Sequence, residues 1–233
     1  MIDRKRKEEE ISGLSGRLLE AQEQERSRIA RDLHDDISQR LALLVNDLVE
    51  IEGKLPKSAA DARERIHEIG QRASEICTDI QDISHQLHPS KLQYLGLATA
   101  AKLFCKEFTE HEKLAVDFRS VDIPTNVPAE ISLCLFRVLQ EALHNAAKHS
   151  GASQIEVRLR GVSGEIQLTI RDRGVGFDPK TAEKGKGLGL ISIRERVGLV
   201  GGEFSIFSKP HSGTEINVRV PASVDEEASR AAG

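Results

Sequence analysis

Residues 33–36 read Leu33-His34-Asp35-Asp36, inside a stretch that has no proline from about Glu8 to Glu52. Imidazole becomes a nucleophile when one ring nitrogen is free and the other is held. A neighbouring carboxylate can hold that second N–H and take the proton as a bond to phosphorus forms. Asp35 is the adjacent carboxylate, Gln39 lies one helical turn beyond it, and Arg31 and Arg40 flank the group. A lone histidine on a helix is usually chemically idle, so His34 needs a phosphoryl donor elsewhere in the chain to be more than that.

Residues suited to bind such a donor lie between 141 and 214. Glu141 and Asn145 are four apart on one helix face, with Lys148 and His149 a turn further on. Oxygen ligands of this kind suit Mg²⁺, which keeps several waters and bridges to phosphates. The spacing Glu141-x-x-His144 could also be a metal pair, but no third ligand is near in sequence. Asp172 has the strand parity of Ile166, Leu168 and Ile170, and Thr214 that of Ile216, Val218 and Val220. Both polar groups therefore point to the apolar face, where a polar ligand would satisfy them. The plain alternative is that each sits at a strand end and reaches water. Two glycine segments favour the ligand. Asp172-Arg-Gly174-Val-Gly176 follows one strand, and Gly185-Lys-Gly187-Leu188-Gly189 opens a helix. Glycines admit close backbone approach, and a helix N-terminus favours phosphate. The polar stretch between them, with Pro179, Lys180, Lys184 and Lys186, suits a lid over phosphates. Neither a Walker A loop nor a dinucleotide fingerprint is present.

The elements that position these residues follow from periodicity. Leu14, Leu18, Ala21, Ile29, Leu33, Ile37, Leu41, Leu44, Leu48 and Ile51 form one helical seam, broken at Gly53 and Pro56. Ala62, Ile66, Ile69, Ala73, Ile76, Ile80, Ile83 and Leu87 form a second, ended by Pro89. Two long helices and a short turn make a hairpin with one seam and little to bury it against. Two hairpins make a closed four-helix bundle, so a homodimer is expected. Helices at 95–112, 128–150 and 188–200 then alternate with strands at 116–121, 155–159, 166–170, 204–207 and 216–220. The second and third strands are joined by a Gly161–Gly164 turn. Mostly antiparallel strands with helices give an α+β two-layer sandwich. The expected domains are 1–90 (hairpin), 91–222 (α+β) and 223–233 (a solvated tail).

Composition excludes several classes. The chain has 233 residues, 39% hydrophobic and 30% charged, with a net charge of −4, which rules out a disordered chain. No basic stripe or aromatic platform suggests nucleic-acid binding. No apolar run is long enough to span a membrane and no signal peptide is evident, so a cytoplasmic location is expected. Cys77, Cys105 and Cys134 are scattered and odd in number, as expected of free buried thiols.

Phe136 to His149 (FRVLQEALHNAAKH), Asp172-Arg-Gly-Val-Gly-Phe177 and Gly187-Leu-Gly-Leu190 resemble the N box and the two glycine boxes of the GHKL (Bergerat) ATPases. That superfamily includes histidine kinases, gyrase and a heat-shock chaperone. The resemblance implies ATP and Mg²⁺ as ligands. Asn145 would bind Mg²⁺ with Glu141 in support, and Asp172 would accept a bond from the adenine amino group. Gly174 and Gly176 would admit the base and lid, Gly185, Gly187, Leu188 and Gly189 would line the phosphates, and Thr214 would hold adenine through a water.

The segment Glu25 to Gln39, with His34-Asp-x-x-x-Gln39, resembles the phosphoacceptor box of the histidine kinases that partner NarL/LuxR-type response regulators. Leu87-His-Pro with Leu92, Leu95-Gly-Leu97 and Arg194-Glu-Arg-Val197 add to the likeness, which runs from about Leu18 to Pro221. It implies autophosphorylation of His34, transfer to a regulator aspartate, and removal of phosphate from that regulator with Gln39 orienting water. Ile193 and Ser192 depart from the common Met and Gly, and no aromatic box is evident. The chain would be the soluble part of a longer sensor, membrane-anchored or not. Other GHKL ATPases and anti-sigma-type serine kinases lack the hairpin, and a dead scaffold would not keep Asn145, Asp172 and the loop glycines.

Overall fold

The computed structural model describes residues 2–56, 58–87, 90–178 and 188–223. These fall into two compact units, Glu20–Ser90 and the residues from Lys91 onward together with those up to Leu19. The glycine positions 185 and 187, the expected lid from 179 to 186 and the tail from 224 onward lie outside the described residues, as do His88 and Pro89.

The first unit is a helical hairpin. Helix α1 (Ile2–Asp32), which enters this unit at Glu20, passes through a π-helical turn (Leu33–Ser38) into α2 (Gln39–Lys54), and α3 (Ala60–Leu87) returns. Leu55 ends α2 in an extended conformation, φ −69° and ψ 135°. Pro56 disfavours the α conformation in the residue before it. The Arg63 guanidinium donates to the Leu55 carbonyl at 2.7 Å and closes the turn.

The inner seam of α3 is Ile66, Gly70, Ala73, Cys77, Ile80, Ser84 and Leu87, in alternating steps of three and four. Facing it are Ala30, Leu33, Ser38, Leu41, Val45 and Leu48. Here one step, from Leu33 to Ser38, is five residues, because the π turn takes up an extra residue. This corrects the seams expected from periodicity. Ile37, Leu44 and Ile51, with Ile69, Ile76 and Ile83, are 39–51% exposed and do not lie on the inner seam. They form a separate ladder on each arm, spaced by seven. The sequence pattern merged two apolar stripes because both recur at helical spacing.

In the second unit, α4 (Ser90–Glu112) is broken at Gly96, whose φ of 73° and ψ of 169° only glycine adopts readily. Then come β1 (Ala115–Val121), α5 (Ala129–His149), β2 (Gln154–Val162), β3 (Glu165–Asp172), α6 (Leu188–Leu199), β4 (Glu203–Ser208) and β5 (Thr214–Pro221). The sheet order is β1-β2-β3-β5-β4. Every pairing is antiparallel except β1 with β2, whose crossover contains α5. The β2–β3 turn is tighter than expected. Only Ser163 and Gly164 lie outside the strands, both with positive φ, as a two-residue hairpin of this kind requires.

One face of the sheet is covered. Ile131, Leu135, Val138 and Ala142 of α5 pack over Ile155, Val157, Ile166, Leu168, Ile170, Ile216 and Val218, with Ile193 and Val197 of α6 beside them. Each fully buried aliphatic side chain contributes about 1.5–3 kcal/mol. The three thiols are free, and burial pushes those of Cys105 and Cys134 up to about 12. No described helix is long and apolar enough to cross a membrane.

Candidate functional site

The register of three strands builds a polar row at the edge of the apolar face. Asp172 on β3 pairs with Thr214 on β5, and Thr214 pairs with Ser208 on β4. Paired residues on neighbouring strands share a face. The next row inward is Ile170, Ile216 and Ile206, so the polar row caps the core. Asp172 is 7% exposed, as its parity required. Its Oδ1 accepts the Gly174 N–H at 2.8 Å. Thr214 Oγ1 and Ser208 Oγ are 3.0 Å apart.

The glycines of this loop serve first to let the chain approach itself. A Cβ on Gly174 would lie 2.1 Å from the Ser150 carbonyl oxygen, which accepts the Val175 N–H at 2.8 Å. Gly176, at φ +58°, packs on the Lys209 carbonyl, where a Cβ would come within 2.1 Å. Gly213, at φ +75°, lies against the Asp172 carbonyl. The loop after β3 is thereby stitched to the end of α5 and to the β4–β5 turn. The His211 N–H to Val175 oxygen bond, 2.5 Å, and the Phe177 N–H to Ser208 Oγ bond, 2.9 Å, complete the stitching.

On α5, Asn145 Nδ2 donates to Glu141 Oε1 at 3.0 Å. That bond sets the sense of the amide and leaves Asn145 Oδ1 as its acceptor for a cation. The start of α6 presses on the same pair. A Cβ on Gly189 would lie 2.0 Å from Glu141 Oε1 and 3.3 Å from Asn145 Nδ2. A carboxylate, an amide oxygen and the N-terminal end of α6 thus adjoin, a donor set that fits Mg²⁺ and phosphate. Leu188 opens α6. Lys148 and His144 are exposed on α5. Among the described residues no three potential metal-binding side chains cluster, so the Glu141–His144 spacing has no third partner.

In the hairpin unit His34, Asp35 and Gln39 are all exposed, in or beside the π turn. In a uniform α-helix, residues five apart differ by about 140° around the axis. A π turn bonds residue i to i+5. Gln39 is thereby turned toward the face of His34 while staying about one turn from Asp35, as the sequence spacing suggested. Buried serines brace the turn. Ser38 Oγ donates to the Leu33 carbonyl at 3.1 Å, and Ser84 Oγ on α3 donates to the Ala30 carbonyl at 2.8 Å. Asp36 pairs with Arg40 at 2.9 Å.

Four serines were missed from the sequence: Ser38, Ser84, Ser150 and Ser208. For Ser208 a signal existed, since it has the parity of Phe204 and Ile206, the same cue that picked out Asp172.

Residues 131–224 match the family described as histidine kinase-, DNA gyrase B-, and HSP90-like ATPase, and residues 25–92 match a family described as histidine kinase. The chain is 32% identical over 222 residues to the signal transduction histidine-protein kinase/phosphatase DegS of Brevibacillus brevis, covering 94% of this chain and 56% of that protein. It is 32% identical over 233 residues to the sensor histidine kinase MctS of Rhizobium johnstonii, covering 99% of this chain and 50% of that one. The chain thus spans about half the length of these curated relatives. In fold it is similar to the histidine kinase domain of the Erythrobacter litoralis EL346 blue-light activated histidine kinase. The TM-score is 0.50 at 18% identity, over 79% of this chain and 94% of that one.

Proposed function

The chain belongs to the histidine kinases, and on that premise we propose that it moves the γ-phosphoryl group of ATP onto His34, passes it to an aspartate of a response regulator, and also removes it from that regulator. One observation carries the reading. Asp172, a carboxylate on the buried face of β3, stands in register with Thr214 beside a glycine loop, where a ligand with hydrogen-bond donors fits.

In this mechanism Asp172 and Thr214 hold the adenine, and Gly174 and Gly176 shape the loop around it. Mg²⁺, when bound by Asn145 with Glu141 in support, neutralises phosphate charge. Leu188 and Gly189 at the start of α6 receive the phosphates, with Gly185 and Gly187 serving them as the sequence reading implies, and Lys148 lies on the same helix as the cation ligands. His34 attacks the γ-phosphorus in line as its bond to the bridging oxygen breaks and ADP leaves, Asp35 holds the imidazole N–H and takes its proton, and positioning does most of the rest. Gln39 orients the water that hydrolyses the regulator's phosphate.

Residues 1–90 serve dimerisation and phosphotransfer, and residues 91–222 bind ATP. The exposed ladders of Ile37, Leu44 and Ile51 and of Ile69, Ile76 and Ile83 support a homodimer closed as a four-helix bundle. The regulator is of NarL/LuxR type, and the chain acts in the cytoplasm as part of a longer sensor.

The test is incubation of the full chain with γ-labelled ATP and Mg²⁺, followed by acid and base treatment. An acid-labile, base-stable label is expected, and Asp172→Asn should lose most of it, since a charged hydrogen bond is worth about 1.5–3 kcal/mol. Undiminished labelling of Asp172→Asn would contradict the assignment of the ATP site.

A further inference from the structure

Hydrogen-bond direction around Ser208 adds a property to this site that neither parity nor family likeness supplies. A serine hydroxyl has one hydrogen and two lone pairs. Ser208 Oγ has three partners. The Phe177 N–H can only donate to it, at 2.9 Å, and the Gly213 carbonyl can only accept from it, at 3.0 Å. Its single hydrogen is therefore committed to Gly213. The third contact, 3.0 Å to Thr214 Oγ1, must then use the hydrogen of Thr214.

We infer that Ser208 is a specificity-determining residue: by taking the Thr214 hydrogen it makes Thr214 an acceptor toward the nucleotide base. This inference rests on the adenine-site reading of Asp172 and Thr214. The consequence is chemical. Asp172 spends Oδ1 on the Gly174 N–H, and as a carboxylate it has only acceptors to offer. Thr214, its register partner, now also presents lone pairs. Two adjacent acceptors, one reached directly or both through a water, match a base edge that carries hydrogens. A purine with an amino group at C6 offers such an edge. A purine with oxygen at C6 loses both amino hydrogens and turns lone pairs toward the acceptors at that position, its one edge hydrogen now being on N1, and a polar site rejects an isostere that leaves its buried acceptors unpaired. With the Ser208 hydroxyl gone, the Thr214 hydroxyl is free to rotate and donate, and it can then accommodate the oxygen.

Ser208 does this without touching the base, so it is a positioning residue. Its placement is a product of the sheet. Ser208 is the last residue of β4, in register with the first residue of β5 across the Lys209–Gly213 turn, and only that register sets its Oγ between Thr214 and the loop after β3.

The test compares the equilibrium binding of ADP and inosine diphosphate, which differ at purine C6 and in the hydrogen on N1, to the full chain with Mg²⁺, by calorimetry. The wild-type chain should prefer ADP. In Ser208→Ala the ratio of the two affinities should fall roughly three- to ten-fold, the size of one neutral hydrogen bond. Ser208→Thr, which keeps the hydroxyl, should restore it. In a Thr214→Val background Ser208→Ala should change the ratio no further, an outcome that a general loosening of the loop would not produce. An unchanged ratio in Ser208→Ala, or an equal fall in the Thr214→Val background, would overturn the inference while leaving the ATP site in place. A wild-type chain that binds neither nucleotide would overturn the site itself.

Discussion

That Asp172 and Thr214 lie on the apolar face was legible from strand parity, because a strand repeats every two residues and both groups fell on the apolar count, but only the glycine segments beside them pointed to a ligand. The hydroxyl network that orients Thr214 was not, since it depends on which residue of β4 lies opposite, and that register is fixed by a five-residue turn. The glycines divide by what crowds them. Gly174 faces the Ser150 backbone, which cannot give way, whereas Gly189 faces the end of the Glu141 side chain, which can. We therefore expect opposite signatures from two alanine substitutions. Gly174→Ala should destabilise the domain, by roughly 1–3 kcal/mol as overpacking does, read as a lower denaturation midpoint. Gly189→Ala should keep the midpoint within about 0.5 kcal/mol but weaken Mg²⁺-dependent ADP binding, because the Glu141 carboxylate that partners Asn145 is displaced. Equal stability losses in both would show that Glu141 is only a packing group.

The helices of the hairpin show what periodicity does and does not carry. Their existence, their break at Gly53–Pro56 and the later strands were evident in the sequence. The assignment of apolar residues to one seam was not, because Ile69 and Ile66 are both at helical spacing yet face different neighbours. Nor was the π turn foreseeable. It adds a residue between Leu33 and Ser38, and its brace, Ser84, comes from the partner helix 54 residues away. The turn brings Gln39 toward the face of His34, and both side chains are exposed. Deleting Ile37 removes the surplus residue and lets the heptads run straight through. The hairpin should keep its helix content, and the KM for ATP should stay unchanged because the proposed nucleotide groups lie in the other unit. The kcat of autophosphorylation should fall about ten-fold or more, in line with the cost of small misplacements of a nucleophile. A variant with wild-type kcat would mean that the π turn has no part in presenting His34.

For the whole molecule, the two exposed ladders are the surface through which the proposed homodimer would close. Six large aliphatic residues spaced by seven along two helices are more than single scattered surface leucines and isoleucines. A chain of 25.7 kDa should therefore run in light scattering at about twice that mass. Replacing both Ile69 and Ile76 by Asp should yield monomers that retain ADP binding, since the proposed ATP-binding groups all lie in the other unit. A wild-type monomer, or a dimer indifferent to those charges, would contradict the bundle. The central claim, however, is that this chain phosphorylates itself on one histidine of that bundle, and labelling of the His34→Gln chain tests it most directly. Incubated with γ-labelled ATP and Mg²⁺, the wild-type chain should gain acid-labile label in the peptide containing residues 32–40. His34→Gln should bind ATP normally and gain none, whereas acid-labile label that persists in His34→Gln would contradict the account.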